Sequence, residues 1–260
     1  MPTLFQCKTY LSYWLDQVTE HSLHSPFLFD FYKNVLHTED NNSYYHPIEE
    51  RRKAYLLNET TLTIQDLGAG SAVLKTSQRK INAIARTSLS PEKYSKLYAR
   101  IIAYFKCRTI LELGTSLGIN TLYLAAKKDT TVTTFEGAAS IVKTARDTFQ
   151  LLQATNIRVI EGDINYTLHS YLGNCTAIDF AFLDANHRYE PTVKYFGMLL
   201  QKLHANSIVV LDDIHYSPDM EKAWRQLQQH PLVYASVDLY RCGLLFFDPS
   251  LNKQHVVLQF

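Results

Sequence analysis

The chain has 260 residues, 46% hydrophobic and 20% charged, with 26 Lys plus Arg against 25 Asp plus Glu for a net charge of +1. At about 150 residues per domain this is one large domain, or one domain with an appendage, and it is long enough for a full core. The even charge excludes a protein whose main contact is a broad electrostatic grip on nucleic acid or on an anionic membrane. No run approaches the ~18 apolar residues of a membrane span, and the opening MPTLFQCKTY lacks the basic-then-apolar pattern of a secretory signal. Cys7, Cys107, Cys175 and Cys242 lie far apart without a CxxC pair. Reduced thiols in a cytoplasmic protein are therefore expected, not a disulfide framework or a zinc site.

Residues 1–90 carry little strand signal and are expected as a helical extension, or lid, packed on the remainder of the chain. A first helix is expected over about Thr9–Glu20. A second opens at Ser25-Pro26, where Ser25 is placed to cap free amides and Pro26 suits the first turn. A third covers Ile48–Leu57. From Ser90 onward helix and strand alternate. Tyr94, Leu97, Tyr98, Ile101 and Phe105 repeat at helical spacing. Five β-rich runs come next, Thr109–Leu113, Thr131–Phe135, Ile157–Ile160, Ile178–Leu183 and Ser207–Leu211, separated by helical segments. Such apolar runs, bounded by turn residues, fit parallel strands covered on both faces. Ser217-Pro218 starts a helix with Met220, Ala223, Trp224 and Leu227 on one face. Val233–Leu239 and Gly243–Phe247 are too close for a crossover helix and must pair antiparallel, and His255–Phe260 has the pattern of one more strand. The expected fold class is α/β: a doubly wound, mostly parallel, seven-stranded Rossmann-like sheet with an antiparallel C-terminal hairpin over residues 91–260, preceded by the helical extension 1–90.

Open α/β sheets bind ligands at the carboxyl ends of their strands, and the candidate residues cluster there. The first strand ends Glu112-Leu113-Gly114-Thr115-Ser116-Leu117-Gly118-Ile119-Asn120, with two glycines that let backbone approach a ligand. Glu136-Gly137 ends the second, 24 residues beyond Glu112, where a carboxylate can accept from both hydroxyls of a ribose. Gly162-Asp163 ends the third. The spacing is G-x-x-x-G and not the G-x-G-x-x-G of a dinucleotide site. An acid two residues before the first glycine would repel a pyrophosphate and suits a cationic ligand without phosphates. Asp66-Leu67-Gly68-Ala69-Gly70-Ser71 looks similar but lacks a following acid before Glu92, and Lys75, Arg79, Lys80 and Arg86 are expected to make a basic helix. That segment is either a turn in the extension or part of a lid over an anionic acceptor.

The ordered set resembles the class I S-adenosylmethionine-dependent methyltransferases over roughly Pro91–Phe247. The resemblance implies that Glu112, Gly114, Thr115, Ser116, Gly118 and Asn120 hold the methionine and ribose end of S-adenosylmethionine, Glu136 and Gly137 the ribose, and Asp163 the adenine side. The fourth strand ends Asp184-Ala185-Asn186-His187-Arg188-Tyr189 and the fifth Asp212-Asp213-Ile214-His215-Tyr216. This resembles the metal-dependent O-methyltransferases of the catechol and caffeoyl-coenzyme A type, with Asp213 where the catechol type usually has Asn. Two readings stand. In one, Asp184, Asp212 and Asp213 hold Mg²⁺ or another divalent cation that acidifies an acceptor hydroxyl. In the other, Asp184 touches cofactor or substrate while Asp212 and Asp213 cap the next helix or pair with a base. His187 is the candidate general base, since an imidazole exchanges protons near neutral pH; His215 and Arg188 are weaker candidates of the same kind. The expected reaction is in-line methyl transfer to oxygen of a small-molecule acceptor, with no nucleic-acid or membrane partner and with a free sheet edge open to a homo-oligomer. The rivals are a catalytically silent binding module and a dinucleotide-binding oxidoreductase.

Overall fold

The computed structural model describes residues 2–39, 42–66 and 75–260. Its strands make a two-stranded hairpin and a mostly parallel mixed sheet of eight. The chain divides into two compact units, residues 1–39 with 176–260 and residues 40–175.

The first unit begins with α1 (Leu4–Asp16), which starts earlier than the apolar spacing suggests because Thr3 and Gln6 form a reciprocal capping box. Ser25 caps α2 (Pro26–Phe31), with Pro26 in the first turn as expected, and a π-helical turn continues it to Leu36. The chain then builds the second unit: α3 (Tyr45–Leu57), β1 (Thr61–Asp66), β2 (Lys75–Lys80), α4 (Ile81–Ser88), α5 (Glu92–Tyr104), β3 (Thr109–Leu113), α6 (Ile119–Leu124), β4 (Thr131–Glu136), α7 (Ala139–Leu151), β5 (Ile157–Glu161) and α8 (Ile164–Asn174). It returns to the first unit with β6 (Phe180–Leu183), α9 (Tyr189–Leu199), β7 (Ile208–Asp212), α10 (Pro218–Gln228), β8 (Ala235–Asp238), β9 (Cys242–Phe246) and β10 (Gln254–Val257).

The expectation of little strand before Ser90 is corrected by the antiparallel β1–β2 hairpin, in which Thr61 faces Lys80 and Asp66 faces Lys75. Lys75–Lys80 is thus a strand, and only Ile81–Ser88 of the expected basic helix is helical. Leu67–Ser71, the glycine-rich part of that segment, lies outside the described residues. In the second unit β3, β4 and β5 run parallel in that order, with Glu112 beside Thr134 and Glu136 beside Glu161. In the first unit the order is β10-β8-β9-β7-β6. β6 and β7 are parallel, β9 is antiparallel to both β7 and β8, and β10 joins β8 in parallel. β10 is the further strand expected near His255–Phe260, and with it the sheet has eight strands. It occupies Gln254–Val257, and its neighbour Leu258 bridges Val18.

Each unit carries its own core. Ile48, Tyr55, Ile64, Ile84, Leu122, Tyr123, Val142 and Phe149 are buried in the second, while β6, β7, β8 and β9 are buried along their whole lengths in the first. That burial matches strands covered on both faces. The four cysteines are free thiols, Cys107 and Cys242 buried and Cys7 exposed. No described helix is long and apolar enough to cross a membrane.

Candidate functional site

Two groups of side chains stand at the carboxyl ends of the strands, one in each unit. In the second unit, β3 gives way to a tight turn in which Gly114, Ser116 and Gly118 all have positive φ, +102°, +47° and +79°. Backbone N–H groups of Gly114 and Thr115 donate to the Phe135 carbonyl at 3.0 and 3.1 Å, which fixes the turn against β4. A left-handed Ser116 costs free energy and marks a constrained loop. Gly118 needs its missing Cβ for packing as well, since a methyl there would meet the Phe149 ring at 2.6 Å.

Glu136 sits at the end of β4. Its Oε2 accepts from Ser116 N and its Oε1 from Ala138 N, each at 3.0 Å, so the carboxylate ties the glycine turn to the start of α7. Burial pushes its pKa up, and the backbone donors pull it back. Gly162 N donates to the Glu136 carbonyl at 2.9 Å, which brings the end of β5 beside it. Asp163 caps α8: its Oδ1 accepts from Asn165 N at 2.8 Å and from Asn165 Nδ2 at 2.9 Å. The structure thus brings the glycine turn, Glu136-Gly137 and Asp163 to the ends of three adjacent parallel strands. Glu112 is different. It is 0% exposed, and its oxygens are taken by Asn120 Nδ2 at 3.0 Å, Thr134 Oγ1 at 2.7 Å and Thr121 Oγ1. Burial raises its pKa to about 7 against the pull of these donors. Glu112 and Asn120 brace the turn from beneath.

In the first unit, Asp184 follows β6 and its Oδ1 lies 3.4 Å from His187 Nε2. His187 is about one-third exposed and, like Asn186, has positive φ, +36° and +65°. Asn186 Nδ2 donates to Tyr195 Oη at 2.8 Å, which anchors this strained loop to α9. Two adjacent left-handed residues without a glycine make this a strained loop. Asp212 ends β7 wholly buried, and Asp213 follows with φ +53°. Arg241 Nη2 stands 2.9 Å from Asp212 Oδ2 and 3.5 Å from Asp213 Oδ1. Burial raises the Asp212 pKa, Arg241 lowers it and Asp213 raises it.

Among the described residues no group of three His, Cys, Asp or Glu is arranged to hold an ion. Asp212 and Asp213 are paired with a base, the other reading of the sequence. His215 also has another partner: its Nε2 lies 2.8 Å from Asp238 Oδ2, which the Trp224 indole donates to at 3.3 Å. Tyr216 is 56% exposed and lies beside His187, ring centres 6.1 Å apart. Arg241 was missed because it belongs to the hairpin turn and to no strand-end motif. Its signal was the pairing itself: once β9 runs antiparallel to β7 with Cys242 opposite Asp212, residue 241 falls beside Asp213.

Residues 111–214 match the family model described as a methyltransferase domain. Solved structures share the fold at low identity. The O-methyltransferase TomG of Streptomyces achromogenes, solved in complex with SAM, is 19% identical at TM-score 0.55, covering 62% of this chain and 82% of its own. An O-methyltransferase from Bacillus cereus in complex with SAH is 16% identical at TM-score 0.57, covering 85% and 97%. The SAH-bound methyltransferase PaMTH1 of Podospora anserina is 15% identical at TM-score 0.54, covering 81% and 100%. Comparison with curated proteins finds no significant sequence match. The matched residues run from within β3 to just past β7 and hold the candidates from Glu112 to Asp213, while His215, Asp238 and Arg241 lie beyond them.

Proposed function

We propose that the chain is an S-adenosylmethionine-dependent methyltransferase acting on an oxygen of a small-molecule acceptor. The observation that carries this is the Glu136 carboxylate held at the end of β4 against the glycine turn, with no basic side chain among its hydrogen-bond partners in the described residues. An acid in that position suits ribose hydroxyls, and a carboxylate-lined turn fits a sulfonium better than a pyrophosphate. The Gly114–Gly118 backbone would lie along the methionine end, Glu136 and Gly137 would hold the ribose, and Asp163 would face the adenine side. When bound, S-adenosylmethionine supplies an activated methyl group.

The chain's own work is alignment and proton removal. His187 Nε2 faces Asp184, which leaves Nδ1 to accept the proton of the acceptor hydroxyl; Asp184 then stabilises the imidazolium. The O–H bond breaks toward His187 as the oxygen–methyl bond forms and the carbon–sulfur bond breaks, releasing S-adenosylhomocysteine. The oxygen acceptor rests on the names of the structural neighbours together with this base.

Calorimetry with S-adenosylmethionine and with NAD tests the reading. S-adenosylmethionine is expected to bind, and Glu136→Ala to weaken it by about 10- to 100-fold, the worth of hydrogen bonds to a charged group. Tight NAD binding without a response to the sulfonium would overturn the proposal in favour of an oxidoreductase. Cofactor binding without S-adenosylhomocysteine release across a panel of phenolic and aliphatic hydroxyls would favour a silent binding module.

A further inference from the structure

Asp212 and Asp213 are adjacent carboxylates, and Asp212 has no solvent exposure at all. Charges so placed repel each other and lose hydration, so a cation must compensate them. In this chain the cation is covalently built in. The turn between β8 and β9 is clamped by its own backbone: Leu239 N donates to the Cys242 carbonyl at 3.0 Å and Arg241 N to the Leu239 carbonyl at 2.8 Å. The Arg241 carbonyl accepts from Ile214 N at 3.2 Å, which joins the turn to the loop after β7. Tyr240, at φ +64°, lets the chain double back so that the guanidinium reaches both carboxylates through Nη2.

A guanidinium keeps its proton at every pH a protein survives and offers its donors in a fixed plane. The carboxylate oxygens it engages, Asp212 Oδ2 and Asp213 Oδ1, are the lone pairs that a hard divalent ion would need. Asp184, the third member of the expected set, is turned to His187.

We propose that Arg241 is the resident cation of this site. It is a positioning residue that neutralises and orients Asp212 and Asp213 in place of a divalent ion, so methyl transfer by this chain needs no metal. This deepens the proposed methyltransferase reading and rests on it.

Metal binding itself provides the test, independent of turnover. The wild-type chain, purified without chelator, is expected to carry substoichiometric metal and to give no saturable heat and no change of Tm with Mg²⁺, Mn²⁺ or Ca²⁺. Arg241→Ala frees the two carboxylates and should acquire Mn²⁺ binding, with Tm rising by roughly 5 °C at saturation. Arg241→Ala with Asp212→Asn should lose that gain, and Arg241→Lys should stay metal-free. Saturable Mn²⁺ or Mg²⁺ binding to the wild type that Asp212→Asn removes would overturn the proposal. So would a folded Arg241→Ala chain that takes up no ion. If Arg241→Ala does not fold, Arg241→Gln replaces it with the same two outcomes. S-adenosylmethionine calorimetry on the same preparations separates the claims: loss of cofactor binding defeats the methyltransferase reading, while the metal titrations decide only Arg241.

Discussion

Glu112 shows how a residue can be found by sequence while its surroundings stay hidden. Its place two residues before the first glycine was legible, but the direction of its side chain was not, because that depends on three partners contributed by α6 and β4. With Asn120, Thr121 and Thr134 around it, the carboxyl is buried and titrates near 7 instead of near 4.5. A folded-state pKa raised in this way means that the native state binds the proton more tightly than the unfolded chain. The stability this contributes is fully present below about pH 4.5 and is lost as pH rises through about 7. Glu112→Gln has no proton to lose. Its amide can donate to Asn120 Oδ1, a buried acceptor without a hydrogen-bond partner among the described residues, once the Asn120 amide rotates. The variant should therefore match the wild type near pH 5 and exceed it above pH 7.5, by at most about 3 kcal/mol. Urea unfolding of both proteins at the two pH values checks this, and an equal gap at both would refute the assignment.

At the scale of elements, the parallel strands were legible because each is a short apolar run closed by turn residues, and Thr109–Leu113 was expected to the residue. The β1–β2 hairpin was not. Lys75–Lys80 reads KTSQRK, with no apolar alternation, and what makes it a strand is its backbone ladder with Thr61–Asp66 above the apolar contacts of Ile64 and Ile81. The G-x-x-x-G spacing was found for one reason and serves two. Gly114 frees the turn, but Gly118 also lets α6 lie against α7, where Phe149 fills the space a Cβ would take. Gly118→Ala should then cost about 2–4 kcal/mol, from overpacking and from a left-handed residue that alanine dislikes. Pairing it with Phe149→Leu should recover the packing part and leave the backbone part. Chemical denaturation of the single and double variants measures the split; no recovery at all would mean that φ alone fixes the glycine.

Over the whole molecule, alternating helix and strand gave the fold class, whereas the division into units did not follow the apparent boundary at Ser90. Residues 2–39 belong with the C-terminal strands, where Tyr13 Oη donates to the Leu258 carbonyl at 2.7 Å and Val18 pairs with Leu258. Residues 42–88 belong with β3–β5, where Tyr123 Oη donates to Glu49 at 2.7 Å and Ser88 meets Ser116 at 2.7 Å. Contacts so distant in sequence leave no local pattern to read. The division has a measurable consequence for ligand linkage. Every residue assigned to S-adenosylmethionine except Asp184 lies in the second unit. A ligand at 100 times its Kd stabilises what it binds by about 2.7 kcal/mol, a Tm rise on the order of 5–10 °C for a chain of this size. If the units open separately, S-adenosylmethionine should slow amide exchange in β3, β4 and the start of α6 and leave β8–β10 unchanged. Hydrogen exchange read by mass spectrometry, with and without the ligand, distinguishes this from equal protection of both units, which would make the chain one cooperative body.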